Sequence, residues 1–418
     1  MWSGPKQSVD VGSLPAPPPQ WVWSRLGAVA SIRARIGWKA LTASEYLDDG
    51  YVFLATPNIK SPKIDFENVN FISDFRYRES PELQLQMGDV LLAKDGNTLG
   101  ITNVVRHLPR PATVNGSIAV IRPSNIDGQF LTYYLASSLA QGMMQLLRGG
   151  MGVPHLFQSD LRKLPVAVPP RAQQFDIVRF LDLETARIDA LMAAKRRLID
   201  LLVDRIRLLG RELTCVGPAC PLRRVLLSVK TGGTPPTDSP EYYVDATVPW
   251  YSPGDFGDLL DLQPPARSLS FRAVSEGQAP SFPADSTLLV GIGATSGRVA
   301  HLDHEASGNQ QLTCVRTTSG LLGRFLSWQL WARTDELRGT APYTTLPIIS
   351  NEFLKSVTVS VPDLSVQATV VSRLDATSIV VAGLRNALEH QADLLAERRR
   401  AIVTAAVTRG IRIQGLVA

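Results

Sequence analysis

The stretch from Pro170 to Leu209 reads PRAQQFDIVRFLDLETARIDALMAAKRRLIDLLVDRIRLL, and the chain carries it twice. The second copy, Asp363 to Ile402, reads DLSVQATVVSRLDATSIVVAGLRNALEHQADLLAERRRAI. Laid on one another without a gap, the copies match Gln174 with Gln367, Leu181-Asp182 with Leu374-Asp375, Asp200-Leu201-Leu202 with Asp393-Leu394-Leu395, and Arg205 with Arg398. Such an uninterrupted register marks a duplication. Leu181, Ile188, Leu191, Leu198, Leu202 and Leu209 follow the three-and-four spacing of a coiled-coil seam. Leu374, Val381, Leu384, Leu388, Leu395 and Ile402 repeat it. Lys195, Arg205, Gln391 and Arg398 also fall on seam positions, which suits a pair of helices with some solvated layers. A helix of about forty residues is roughly 60 Å long, more than one globular core needs. The spacing therefore predicts that the copies pair as a rod between globular units; two amphipathic helices on separate cores are the alternative.

Composition sets the class. The chain has 418 residues, 44% of them hydrophobic and 19% charged, with room for two or three domains. Cys215, Cys220 and Cys314 give neither a disulfide framework nor a C-x-x-C pair, so reduced thiols in the cytoplasm are expected. No apolar run reaches the roughly 18 residues of a membrane span, and the Pro-rich start lacks a signal-peptide core. A net charge of +5 permits a polyanionic partner without demanding one. The expected segments are a lead-in over 1–20, a globular unit over 21–168, a helix over 169–212, a second unit over 213–361, a second helix over 362–408 and a tail over 409–418.

The globular units repeat in outline too. In the first, YVFLA (Tyr51–Ala55), DVLLAK (Asp89–Lys94), SIAVIR (Ser117–Arg122) and LPVAVPP (Leu164–Pro170) are short apolar runs bounded by turn residues, which predicts strands, and Phe130–Leu147 has helical spacing. LQMGDVLLAKDGNTLG (Leu85–Gly100) matches SFPADSTLLVGIGATSG (Ser281–Gly297), with Gly96-x-Thr98-x-Gly100 on Gly293-x-Thr295-x-Gly297. NGSIAVIR lies on NQQLTCVR, FLTYYL on FLSWQL, and PHLFQSDLRKLPVAVPP on PIISNEFLKSVTVSVPD. Residues between these anchors diverge, as expected if the two units recognise different things.

This double arrangement resembles the specificity subunit of type I restriction–modification enzymes. The resemblance rests on WSRLGAVASIRARIGWKALTASEYLDDG near the start, Gln174 to Leu191, and LLAERRRAI (Leu394–Ile402), and it covers nearly the whole chain. Gln173 and Val366 stand where relatives usually carry an acidic residue before the first-turn glutamine. The resemblance implies an α+β fold with two pseudo-repeated target-recognition domains, each reading one half of a split double-stranded DNA site. It further implies an antiparallel coiled coil setting the distance between halves, two docked methyltransferase subunits and added restriction subunits. The subunit itself would be non-catalytic and without a cofactor, S-adenosylmethionine, ATP and magnesium belonging to its partners.

Candidate contacts follow from residue chemistry. Lys94, Asn97 and Thr98 in the loop to Gly100, and Thr295, Ser296 and Arg298 in its counterpart, pair glycines with polar side chains directly after a strand. Such a loop can let the backbone approach a phosphate, or it can be a plain Gly-rich turn. Arg33, Arg35 and Lys39 alternate along SIRARIGWKA and can track a DNA backbone, as can Lys230, Thr231 and Thr234 in the second unit; a solvated strand face is the other reading. Asn115, Ser117, Asn309, Gln310 and Gln311 carry groups that read base edges but also stabilise turns. Arg148 and Tyr343 complete the set. His301-x-x-His304 lacks a third ligand at zinc spacing, so no metal is expected. The chain shows no G-x-x-x-x-G-K-[ST] loop and no tetrapeptide of an amino-methyltransferase, so the chemistry belongs to other chains. The rival classes are a structural adaptor whose units bind proteins and an enzyme with an unrecognised site.

Overall fold

The computed structural model describes residues 14, 16–34, 41–149, 154–340 and 348–409. It divides into two compact units, Met1–Met192 with Ala392–Ala418, and Ala193–Gln391. The long helices, Arg171–Thr214 and Leu364–Arg409, each give one part to either unit. In the first unit Ile177, Val178 and Leu181 share a core with Val403, Ala406 and Val407. In the second, Ile206 shares one with Val370, Leu374 and Val381. Early residues of one helix thus meet late residues of the other in both units, and the pairing is antiparallel.

Burial along the first helix picks out Gln174, Val178, Leu181, Thr185 and Ile188, then half-buried Met192, Lys195, Ile199 and Leu202, then Ile206 and half-buried Leu209. That is a heptad face, but it is not a leucine face. Leu191, Leu198 and Leu384 are 45%, 46% and 48% exposed, so these three expected seam positions are corrected. Met192, Lys195 and Ile199 replace the first two, and Arg385 the third. Lysine and arginine can lay an aliphatic stem on the seam and lead their charge outward. Lys195 Nζ donates to Gln391 Oε1 at 2.5 Å, and the Arg385 guanidinium donates to Asp258 and Glu389. Arg205, Gln391 and Arg398 are exposed. Ile188, Val381, Leu388, Leu395 and Ile402 lie on the inner face as expected.

The duplicated glutamine is a clamp. Gln174 is 2% exposed; its Nε2 donates to the Pro169 carbonyl at 2.9 Å and its Oε1 accepts the Asp127 N–H at 2.7 Å. Gln367, fully buried, donates to the Pro362 and Gly320 carbonyls at 2.7 and 2.9 Å and accepts the Leu322 N–H at 2.8 Å. Asp127 and Leu322 are the N-caps of the helices Gly128–Ala136 and Gly323–Ala332, so each glutamine ties the base of a long helix to the start of a domain helix. About two turns further, Asp182 accepts from the Tyr133 hydroxyl at 2.7 Å, and Asp375 from Arg324 Nε and Trp328 Nε1 at 2.7 and 2.8 Å.

The strands repeat the same plan. The first unit has β1 (Val22–Arg25), β2 (Ala30–Arg33), β3 (Tyr51–Leu54), β4 (Asn70–Ile72), β5 (Val90–Ala93), β6 (Thr102–Val104), β7 (Ala112–Val114), β8 (Ile118–Pro123) and β9 (Pro165–Val168). They form a sheet of order β2-β8-β5-β6, a smaller one of order β4-β3-β7, and a β1-β9 ribbon leading into the long helix. The second unit has β10 (Ala219–Pro221), β11 (Leu226–Thr231), β12 (Val248–Tyr251), β13 (Arg267–Leu269), β14 (Ser286–Val290), β15 (Val299–Leu302), β16 (Ser307–Gly308), β17 (Leu312–Thr317) and β18 (Thr358–Ser360). Its sheets run β11-β17-β14-β15 and β13-β12-β16, with a β10-β18 ribbon. The fold is α+β, two pseudo-repeated halves carried on paired helices. The single helix expected over Phe130–Leu147 is two, because Ser137 turns extended and its Oγ caps Ser138–Leu147 by accepting the Ala140 N–H at 3.3 Å.

The two histidines of the His301-x-x-His304 motif go to different partners. His301 is 8% exposed, its Nδ1 at 3.2 Å from Ser327 Oγ, while His304 lies against Asp303 at 2.6 Å and the Tyr251 hydroxyl at 3.1 Å. Among the described residues no three His, Cys, Asp or Glu side chains gather as metal ligands. Burial, helped by Arg324, pushes His301 from the ordinary 6.5 down to about 4.

Two stability outcomes follow. Gln367→Ala leaves the Leu322 N–H and two carbonyls without a partner and should destabilise the protein by about 1–3 kcal/mol, read as a urea midpoint. Val366→Ala, at an exposed neighbour, should stay within about 0.5 kcal/mol. For His301 the folded state favours the neutral ring, so its contribution is complete above about pH 6.5 and is lost as pH falls toward 4. His301→Gln should flatten the fall in thermal midpoint over that window; an unchanged slope contradicts this assignment.

Candidate nucleic-acid interface

In the first unit the loop Lys94–Gly100 leaves the end of β5 and is pinned by backbone. The Lys94 N–H donates to the Ser117 carbonyl at 2.9 Å, the Leu156 N–H to the Lys94 carbonyl at 2.9 Å, and the Gly96 N–H to the Pro154 carbonyl at 2.9 Å. Asp95 and Gly149 both bridge His155. One end of the four-stranded sheet therefore gathers this loop, the Asn115–Ser117 turn before β8, Arg148 beside Gly149, and Arg33 at the end of β2. Glycine is required at Gly100, whose φ is +92° and where a Cβ would stand 2.4 Å from Gln141 Oε1. Gly297, at φ +87°, meets the same constraint from Arg338 Cγ at 2.7 Å. The repeated G-x-T-x-G is thus a fold requirement.

Within that cluster Asn97 and Arg148 are exposed and Arg33 is half-buried. Thr98 Oγ1 donates to the Asp95 carbonyl at 3.2 Å, and Asn115 Oδ1 accepts the Ser117 N–H at 3.1 Å. Lys94 is not an open cation: it is 7% exposed and its amine lies 3.2 Å from Asp95 Oδ2. The other Asp95 oxygen takes a close hydrogen bond with His155 Nδ1, and the imidazole packs edge-on against Phe157 with centroids 4.5 Å apart.

The second unit builds the same end of its sheet. The Gly291 N–H donates to the Gln311 carbonyl at 2.7 Å, the Ile349 N–H to the Gly291 carbonyl at 2.8 Å, and Ile292 bridges Ile348. The Gly233 N–H reaches the Gly308 carbonyl at 2.9 Å, bringing in the chain after β11. Lys230, Thr231, Thr234, Thr295 and Gln310 are exposed there. Thr231 Oγ1 accepts from Asn351 Nδ2 at 3.1 Å, and Thr234 donates to Gln310 Oε1. Asn309 Oδ1 accepts the Gln311 N–H at 3.0 Å and its Nδ2 donates to Gln311 Oε1 at 3.1 Å, while Gln311 Nε2 reaches the Ile292 carbonyl at 3.4 Å. Ser296 is fully buried. Arg298 donates to the Phe256 and Gly257 carbonyls at 2.6 and 2.8 Å and so holds a neighbouring loop. These two side chains face inward. Cys314, opposite Lys230 in the ladder, is buried with its thiol pushed up to about 11 and stays protonated. Arg35, Lys39 and Tyr343 lie outside the described residues.

Sequence reasoning passed over Asp95, His155, Ile292 and Ile348. The signal was present where PHLFQSD lies on PIISNEF, which sets His155 on Ile348 inside an otherwise matched anchor. Both clusters present amides, hydroxyls, a few cations and an interchangeable pair of side chains on a rigid sheet end. That equipment suits recognition of a surface by hydrogen bonds and contact.

The profile of the family described as "Type I restriction modification DNA specificity domain" matches residues 18–199 and 226–390. Over 189 residues the chain is 23% identical to the type I restriction enzyme EcoKI specificity subunit of Escherichia coli K12, covering 44% of this chain and 40% of that one. It is also 23% identical over 206 residues to the MjaVIII specificity subunit of Methanocaldococcus jannaschii, covering 46% and 47%. The aligned stretches thus span less than half the length of these relatives. A solved structure, from work on complex assembly and conformational transition of the type I R-M system, is 19% identical and superposes with a TM-score of 0.71, covering 95% of this chain and 100% of that one. That likeness shows the fold. With the profile matching both halves, the chain belongs to the type I restriction–modification DNA specificity family.

Proposed function

We propose that this chain is the DNA-recognition subunit of a type I restriction–modification complex, each unit reading one half of a bipartite double-stranded site. The observation that carries the reading is the same loop cluster built twice on one backbone frame with different side chains in each copy. Exposed cations such as Arg148 and Lys230 meet phosphates, and side chains such as Asn97 and Gln310 reach base edges. The paired helices set the unread gap. Their outward leucines, among them Leu198, Leu201 and Leu208 on the first helix, at 46%, 55% and 68% exposure, offer methyltransferase subunits an apolar face. Restriction subunits join those to make the nuclease. The chain is non-catalytic and binds no cofactor itself, its partners supplying S-adenosylmethionine, ATP and magnesium chemistry. It works in the cytoplasm, in keeping with free thiols and, among the described residues, no helix apolar and long enough to cross a membrane.

Affinity across single-base variants of the site, with methyltransferase subunits bound, tests the division of labour. Gln310→Ala should lose about 1–3 kcal/mol of discrimination at one base pair of one half-site. Lys230→Ala should weaken binding to all sequences alike and reduce the salt slope by about one phosphate contact. Selectivity lost equally in both half-sites would refute one unit for one half-site, and binding that ignores sequence and salt would refute DNA recognition.

A further inference from the structure

The two loop clusters share a set of backbone contacts. Lys94 and Gly291 each donate an N–H to the turn before the next central strand and each accept one, from Leu156 and Ile349. The residues that follow, Asp95 and Ile292, each form a one-residue bridge to the returning chain, at His155 and Ile348. Over this constant frame the side-chain pair is exchanged. In the first unit it is Asp95 with His155, hydrogen-bonded to each other, their side chains 27% and 30% exposed. In the second it is Ile292 with Ile348, each 41% exposed, two β-branched apolar side chains facing water on a sheet end that is otherwise polar. At 41% exposure the isoleucine pair leaves apolar surface in water, and the backbone bridge does not need it, since the other unit makes the bridge with charged and polar residues.

We propose that this bridge pair is a specificity-determining position in each unit, with Ile292 and Ile348 seating the C5-methyl group of a thymine and His155 hydrogen-bonding a polar base edge. The inference rests on the DNA-recognition reading above and goes beyond it by naming the positions and the base chemistry. Thymine alone offers a methyl in the major groove, and apolar side chains are the groups that read it. On the other side, the Asp95 carboxylate takes the Nδ1–H of His155 and fixes the ring, which leaves Nε2 for a partner. A bridge is also a rigid place to carry such a side chain, because two backbone segments hold it.

The test uses duplexes carrying the preferred site, found by selection from random duplexes with the chain in complex with its methyltransferase subunits. Each thymine on either strand is replaced in turn by deoxyuridine, which removes only the methyl. In the half-site read by the second unit one replacement should weaken binding about fourfold, the factor expected for burying one methyl-sized group. In an Ile292→Ser/Ile348→Ser variant that penalty should vanish, while Ile292→Val/Ile348→Val keeps it and controls for folding. His155→Ala should leave the penalty intact and flatten base preference at one position of the other half-site. A second half-site without thymine on either strand, deoxyuridine tolerated everywhere in it, or a penalty unchanged in the serine variant would overturn the proposal. If the wild-type complex selects no bipartite site at all, it is the DNA-recognition reading that fails instead.

Discussion

The inner face of the 44-residue helix Arg171–Thr214 is covered within each unit by part of the second long helix. Ile177, Val178 and Leu181 meet Val403, Ala406 and Val407 in one, and Ile206 meets Val370, Leu374 and Val381 in the other. The chain achieves this by running its two long helices antiparallel and giving each unit part of both. Apolar contacts such as those of Leu181 and Leu374 supply most of the stabilisation there, at roughly 1.5–3 kcal/mol for a fully buried leucine. The polar ties do something else. Arg399 to Asp189 at 2.9 Å is more than a third exposed on both sides and contributes about 0–1 kcal/mol. Together with Lys195 to Gln391 it sets which residues face each other, as polar residues in a seam commonly do.

The globular units are attached to that scaffold by side chains the duplication kept. Gln174 and Gln367 join the helix base to the domain helix, and Asp182 and Asp375 repeat the tie about two turns on. Because both glutamines are buried and bound to backbone groups, each domain helix is held closely on the base of its long helix. The loop clusters then inherit fixed positions. At the matched backbone bridges the two units carry different side chains, His155 in one and Ile348 in the other. A frame held constant while its tips vary is what the proposed reading of two different half-sites by one fold requires.

Much of this was legible in the sequence. The duplication, the strands at Tyr51–Leu54, Val90–Ala93, Ile118–Pro123 and Pro165–Val168, and the antiparallel pairing followed from gapless alignment, apolar runs and family resemblance. The seam was misread at Leu191, Leu198 and Leu384 because leucine was counted as inward, whereas the helix face is set by geometry and accepts Thr185, Lys195 and Arg385. Gln174 and Gln367 were visible as a match, but only coordinates show what their amides bind. In the candidate site, loop positions could be read from Gly100 and Gly297, since a left-handed backbone confines the choice of residue. Side-chain direction could not, which is why Lys94, Ser296 and Arg298 turn out to face inward while Ile292 stands at the surface.

The proposed function makes the paired helices the spacer between two readers. It is tested most directly by inserting one heptad beside Lys195 and another beside Gln391, which face each other across the pair. Equal heptads keep both seams in register and add about 10 Å of helix. Sites selected from random duplexes should then keep both half-site sequences while the unread gap lengthens by about three base pairs at roughly 3.4 Å each. A folded, selective complex that retains the original gap would contradict the claim.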